Sequence, residues 1–178
     1  MKKILLACVF MLCSFLAYSQ SYLGHVTKQV NFRQGPSIDY GVISTLPAGT
    51  MLFIISLETN NDFYNVIDIE NDKEGYVHKA FIELGDLVGE NQSGVFVPTG
   101  SSSKFDPEIE IFNNTSRSLT LKLNNTIHSF MPYEKKLLTF SAGLCYYRAS
   151  APGVVPNIGT ETMENNKAYK WEFFIIGR

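Results

Sequence analysis

The chain has 178 residues, 45% of them hydrophobic and 18% charged, with a formal net charge of −2. That balance fits one or two folded domains and excludes an intrinsically disordered chain. Thirteen phenylalanines and nine tyrosines against one tryptophan favour β-structure.

Met1-Lys2-Lys3 is a positive n-region. Residues 4–16 form an apolar run shorter than the ~20 residues that span a bilayer. Ala17-Tyr18-Ser19 is a small-x-small site ahead of Gln20. This is the pattern of a secretory signal peptide, so residues 1–19 are expected to be removed. The product is then periplasmic or secreted, with no membrane span. Leu5-Leu6-Ala7-Cys8 looks like a lipoprotein box, but a cut there leaves almost no apolar region before it, and Leu12 ahead of Cys13 is not small. Both cysteines are expected to leave with the signal. Cys145 alone remains, so no disulfide framework is expected. Without Lys2 and Lys3, 13 basic residues face 17 acidic ones, a net charge of −4. The split is uneven: residues 20–86 carry −5 and residues 87–178 carry +1. An acidic first half argues against a nucleic-acid or anionic-lipid partner.

The first strand is expected over residues 23–30. It leads into Val30-Asn31-Phe32-Arg33-Gln34-Gly35-Pro36-Ser37, where alternation of apolar and polar residues gives a half-buried strand and Gly35-Pro36 ends it. A short strand over 43–46 stops at the turn Pro47-Ala48-Gly49. Residues 51–57 are a continuous apolar run and read as a core strand. Asn60-Asn61-Asp62 is turn chemistry. Residues 63–69 alternate, residues 70–73 turn, and Gly75-Tyr76-Val77 returns. Residues 79–82 read as a helical turn followed by a last short strand.

Asn31-Phe32-Arg33-Gln34-Gly35-Pro36-Ser37, then 42–49 ending in Leu46-Pro47-Ala48-Gly49, then Phe63-Tyr64-Asn65-Val66, then Gly75-Tyr76-Val77 stand in one order at ordinary spacing. On these residues the segment 26–84 resembles the bacterial SH3 (SH3b) family. Phe63 and Tyr76 occupy positions where tryptophan is common in that family. The resemblance implies a small SH3-like barrel and a binding module without its own chemistry. A barrel also hides strand edges.

Residues 87–105 are rich in Gly, Pro and Ser and read as a linker, although Val95-Phe96-Val97 can pair with a domain. A second domain is expected over 106–178. Residues 108–111 and 118–123 alternate strictly, and turn signals recur every 8–12 residues. Six or seven such strands predict a β-sandwich, immunoglobulin-like or transthyretin-like. Residues 149–161 read as a long irregular segment, 163–167 as a helical turn and 169–176 as the final strand. The chain is therefore expected to be all-β: signal 1–19, barrel 20–86, linker 87–105, sandwich 106–178.

Catalysis needs a nucleophile with a base and an orienting group. Cys145 in Gly143-Leu144-Cys145-Tyr146-Tyr147 reads as a buried strand residue. The Asp-Cys-Ser-Gly pattern at a helix start, found in the cysteine peptidases that accompany SH3b modules, is absent, so no enzyme is expected. His25, His78 and His128 are far apart and lack metal-ligand spacing. Asp68, Glu70, Asp72 and Glu74 read as a solvated acidic face. No cofactor and no metal are expected. Arg33 is more simply a turn-holding residue than a ligand contact. The candidate binding residues are Arg33, Tyr40, Phe63, Tyr76 and Phe81; the four aromatics would rim a groove, with Phe63 and Tyr76 equally readable as core because Tyr64 and Val77 alternate with them. Residues 149–159 are a second candidate, either a functional loop or a crossover between sheets. The expected function is a non-catalytic envelope-binding module recognising a cell-wall peptide or a partner protein. A structural or adhesion subunit, or an accessory inhibitor of a separate enzyme, is the alternative.

Overall fold

The computed structural model describes residues 20–89 and 94–175; the expected signal peptide lies outside them. The chain is all-β. Seven strands form the first half: β1 Ser21–Val26, β2 Val30–Arg33, β3 Val42–Leu46, β4 Met51–Ile54, β5 Phe63–Asp68, β6 Lys73–His78 and β7 Ile82–Val88. A single 3-10 turn, Lys79–Phe81, connects the last two. The expected strand over 23–30 is two strands, β1 and β2, separated by a bend after Val26.

These strands make one sheet in the order β3-β2-β6-β5-β4-β1-β7. Its inward residues meet in one core of Val26, Phe32, Leu46, Leu52, Ile54, Val66 and Val77, with Ile43 from one edge and Ile82 from the other packed against it. Both edges reach the same core, so the sheet is rolled into a small barrel. Gly75 lets the strands close up: a Cβ there would lie 2.6 Å from the Phe32 ring and 2.7 Å from the Arg33 carbonyl. The acidic hairpin has a structural account at both ends. Asp68 accepts from the Glu70 amide and the Asn71 side chain, closing the turn.

The second half has eight strands: β8 Val97–Ser101, β9 Glu108–Asn113, β10 Leu119–Leu123, β11 Thr126–Phe130, β12 Lys135–Thr139, β13 Gly143–Ala151, β14 Val154–Met163 and β15 Lys167–Phe173. They form two four-stranded sheets, β11-β10-β13-β14 and β12-β9-β15-β8, facing each other across one core. Trp171, Phe173, Tyr147 and Phe96 meet there edge-on or tilted, with centroids 5.5–6.0 Å apart. Pairing is antiparallel except between β9 and β15. Counted from β9, the first, fourth and seventh strands share a sheet. The immunoglobulin order instead groups the first, second, fourth and fifth, so the strands of this sandwich are not wired in that order.

Two segments differ from the sequence reading, and a third, in the expected linker, pairs as Val95-Phe96-Val97 allowed. Residues 149–161 are the hairpin β13–β14. The turn at Pro152-Gly153 is tight, with Gly153 at φ 72°. Pro156 fits within β14 because β14 is a sheet edge, where a missing amide costs no ladder bond. Residues 163–167 make a strand end and a turn through Asn166 at φ 58°, with no helical turn. Within the expected linker, β8 pairs with β15 and Phe96 is buried in the sandwich core. Glu161 holds this segment by accepting from the Gly94 and Val95 amides.

The two halves pack against each other. Phe53, Ile67 and Ile69 point out of the barrel and are buried, with Ile158 of β14 packed on them. The Gly153 amide donates to the Ile69 carbonyl at 2.7 Å. The Arg148 guanidinium of β13 pairs with the Glu74 carboxylate of β6. The Glu74 end of the acidic hairpin is therefore at an interface.

Candidate functional site

β5 and β6 pair in a register that sets their two faces. Tyr64 lies opposite Val77, and both turn inward; Phe63 lies opposite His78 on the other face, where Phe63 is only 6% exposed. The Phe63 ring meets His78 edge-on at 5.2 Å, and His78 meets Phe81 of the 3-10 turn at 5.8 Å. Phe81 is carried there because His78 Nδ1 accepts from the Ala80 amide, capping the turn. An accepting Nδ1 puts the imidazole proton of the neutral ring on Nε2. Lys79 fixes the other side, donating its amide to the Asp62 carbonyl and its ammonium to the Asp62 carboxylate at 2.7 Å. That hydrogen bond, together with the charge of Lys79, holds the Asp62 carboxyl below the usual carboxylate range.

Opposite this aromatic wall runs the loop after β2. The Arg33 Nη1 donates to the Ile38 and Tyr40 carbonyls, each at 2.9 Å. Its guanidinium thus ties the loop and holds Ile38 outward, where Ile38 is 74% exposed. Between loop and wall lies a groove of about 570 Å³ lined by Gln29, Val30, Asn31, Arg33, Ile38, Thr45, Phe63, His78, Ala80 and Phe81. Lys28 places its ammonium 4.7 Å from the Phe81 ring centroid.

Of the five candidate residues, the fold brings Arg33, Phe63 and Phe81 to this groove. Tyr40 and Tyr76 are not among its lining residues. The Tyr40 ring lies over Gly35, where a Cβ would come within 2.4 Å of it. Tyr76 sits in register between Arg33 and Asn65, two pairs along the sheet from His78 and on the same face. Ile38 and His78 were not singled out from the sequence. The signal for His78 was its place in the hairpin, two residues beyond Tyr76 and so on the same face. The other candidate, residues 149–159, is a hairpin whose tip contacts the barrel through Gly153.

Cys145 is 1% exposed, and its thiol is pushed up to about 11 by burial and by the charge of Glu161 opposite it. Among the described residues no three His, Cys, Asp or Glu side chains gather as a metal site requires. No described helix is long and apolar enough to cross a membrane.

Residues 28–83 match the family model of the bacterial SH3 domain, and the barrel carries that domain. No curated protein matches the chain. Among solved structures, "Structure of NlpC2 from Trichomonas vaginalis" aligns at 17% identity with a TM-score of 0.32, over 87% of this chain and 50% of the other. The chain thus spans about half the length of that protein.

Proposed function

We propose that the protein is an exported, non-catalytic binding module of the bacterial cell envelope, and that its barrel groove holds a short extended peptide from the cell wall or from an envelope protein. The observation that carries this reading is the open groove between Ile38 and the Phe63–His78–Phe81 wall. An aromatic wall offers flat apolar area with little rotamer entropy to lose. An outward His78 Nε2–H suits a backbone carbonyl of the peptide. The −5 charge of residues 20–86 favours a neutral or amine-bearing ligand over an anionic polymer. A buried thiol with its pKa raised to about 11 supports binding without nucleophilic chemistry.

Co-sedimentation with purified sacculi, followed by titration of the isotope-labelled protein with wall stem peptides, tests the reading. Saturable shifts at Ala80 and Phe81 are the expected result. Phe81→Ala then weakens binding by about 1–3 kcal/mol while circular dichroism stays unchanged. A folded protein that neither sediments with sacculi nor responds to stem peptides defeats the wall-peptide reading and turns the search to envelope proteins. Intact-mass analysis of the exported protein tests the cut before Gln20; a diacylated Cys8 or a retained Met1 overturns it.

A further inference from the structure

We infer that the cleft between barrel and sandwich is a second binding site, for a small monocarboxylate bearing an apolar group, such as an N-acylated apolar amino acid or the C-terminal residue of a peptide. The cleft shares no lining residue with the barrel groove.

Its charge comes from an uncommon pairing. Lys122 of β10 and Arg148 of β13 are direct cross-strand partners. Like charges in that relation repel unless something answers them. The barrel answers with Glu74, which pairs with the Arg148 Nη2 and also accepts from the Asn65 side chain at 3.0 Å. Glu74 feels Lys122 at longer range, but the Lys122 ammonium makes no hydrogen bond or ion pair among the described residues. Two cations set against one carboxylate leave one positive charge over. Arg148 is 9% exposed, and its Nε is a buried donor with no partner among the described residues. Arg148 nevertheless lines the cleft, so its charge stands at the wall of the site beside Lys122.

The walls set the rest of the ligand. Lys122 and Arg148 share a cleft of about 200 Å³ with Phe53, Ile55, Tyr146 and Ile158. Clefts between domains are favoured places for small ligands, and this one takes a residue-sized group. One unbalanced charge matches a monoanion, and the aromatic and aliphatic walls match an apolar flank. Both favour a carboxylate over inorganic phosphate, which is more highly charged and has no apolar part. Guanidinium geometry also suits a planar carboxylate.

The test titrates the isotope-labelled protein with N-acetyl-leucine, N-acetyl-leucine amide, an acetylated tripeptide ending in leucine, and inorganic phosphate. Saturable shifts at Asn124, Tyr146 and Gly159 with the acid, and not with the amide, are the expected result. Tighter binding of the tripeptide assigns the site to peptide C-termini; equal binding assigns it to free acids. Lys122→Met lies on a partly exposed strand position and keeps the Arg148–Glu74 pair. It weakens acid binding about tenfold, while circular dichroism stays unchanged. Absence of saturable shifts with the acid overturns the inference. So does an equal response to the amide, phosphate binding as tight as the acid, or undiminished binding by the folded Lys122→Met variant.

Discussion

Gly75 shows how one residue sets the barrel's dimensions. Its position admits no methyl group without displacing the Phe32 ring, the Arg33 backbone or the Ile43 side chain. Gly75→Ala is expected to cost about 1–3 kcal/mol through overpacking, read as a lower midpoint in chemical denaturation. Cys145 gives a second test at this scale. Its burial and raised pKa predict slow reaction with a thiol reagent in the native protein and fast reaction once unfolded. Fast labelling of the folded protein, or hydrolysis of wall peptides that is lost in Cys145→Ser, would restore an enzymatic reading.

At the scale of elements, β6 and β13 meet through Glu74 and Arg148. Burial alone pushes the Glu74 carboxyl up. The Arg148 guanidinium, the Asn65 hydrogen bond and the field of Lys122 outweigh that and hold it below its ordinary 4.5. A lowered folded pKa means the pair stabilises the fold above the unfolded value, and the contribution is lost as pH falls through the folded value. Glu74→Gln is therefore expected to cost about 1 kcal/mol near neutral pH, a modest figure because the Glu74 side chain is 33% exposed. The gap between wild type and variant closes only as pH falls through the lowered folded value of Glu74, below which both side chains are neutral. Denaturation midpoints measured across that range decide the point; a gap that stays constant with pH contradicts it.

The whole molecule depends on surfaces that neither half would bury alone. Phe53 is fully buried although it points out of the barrel, because Ile158 and its neighbours cover it. Ile158→Asp is expected to uncouple the halves and leave each folded. Circular dichroism then stays all-β, while thermal unfolding splits from one transition into two. A single unchanged transition would show that the contact carries no coupling.

The sequence alone determined the strands and turns of the first half from residue 30 on, though not the break between β1 and β2, and its bacterial SH3 character. Those follow from local rules: alternation selects strands, and Gly35-Pro36, Asn60-Asn61-Asp62 and the hairpin at 70–73 select the breaks. It also placed Cys145 on a strand and two of the aromatic groove residues, Phe63 and Phe81. Residues 149–161 were not legible, because Pro152, Gly153, Pro156 and Gly159 read as loop when the strand is a sheet edge that tolerates them. The apolar run of β4 looked like a core strand, but the pattern does not say what covers each face. Only tertiary packing decided that Leu52 and Ile54 fill the barrel while Phe53 meets the sandwich. The same holds for Tyr40 and Tyr76, whose aromatic character was plain and whose neighbours, Gly35 for Tyr40 and Arg33 and Asn65 for Tyr76, were not. Composition and period fix which side of a strand a residue takes; what lies across from that side is set by contacts between residues far apart in the chain, such as Glu74 and Arg148.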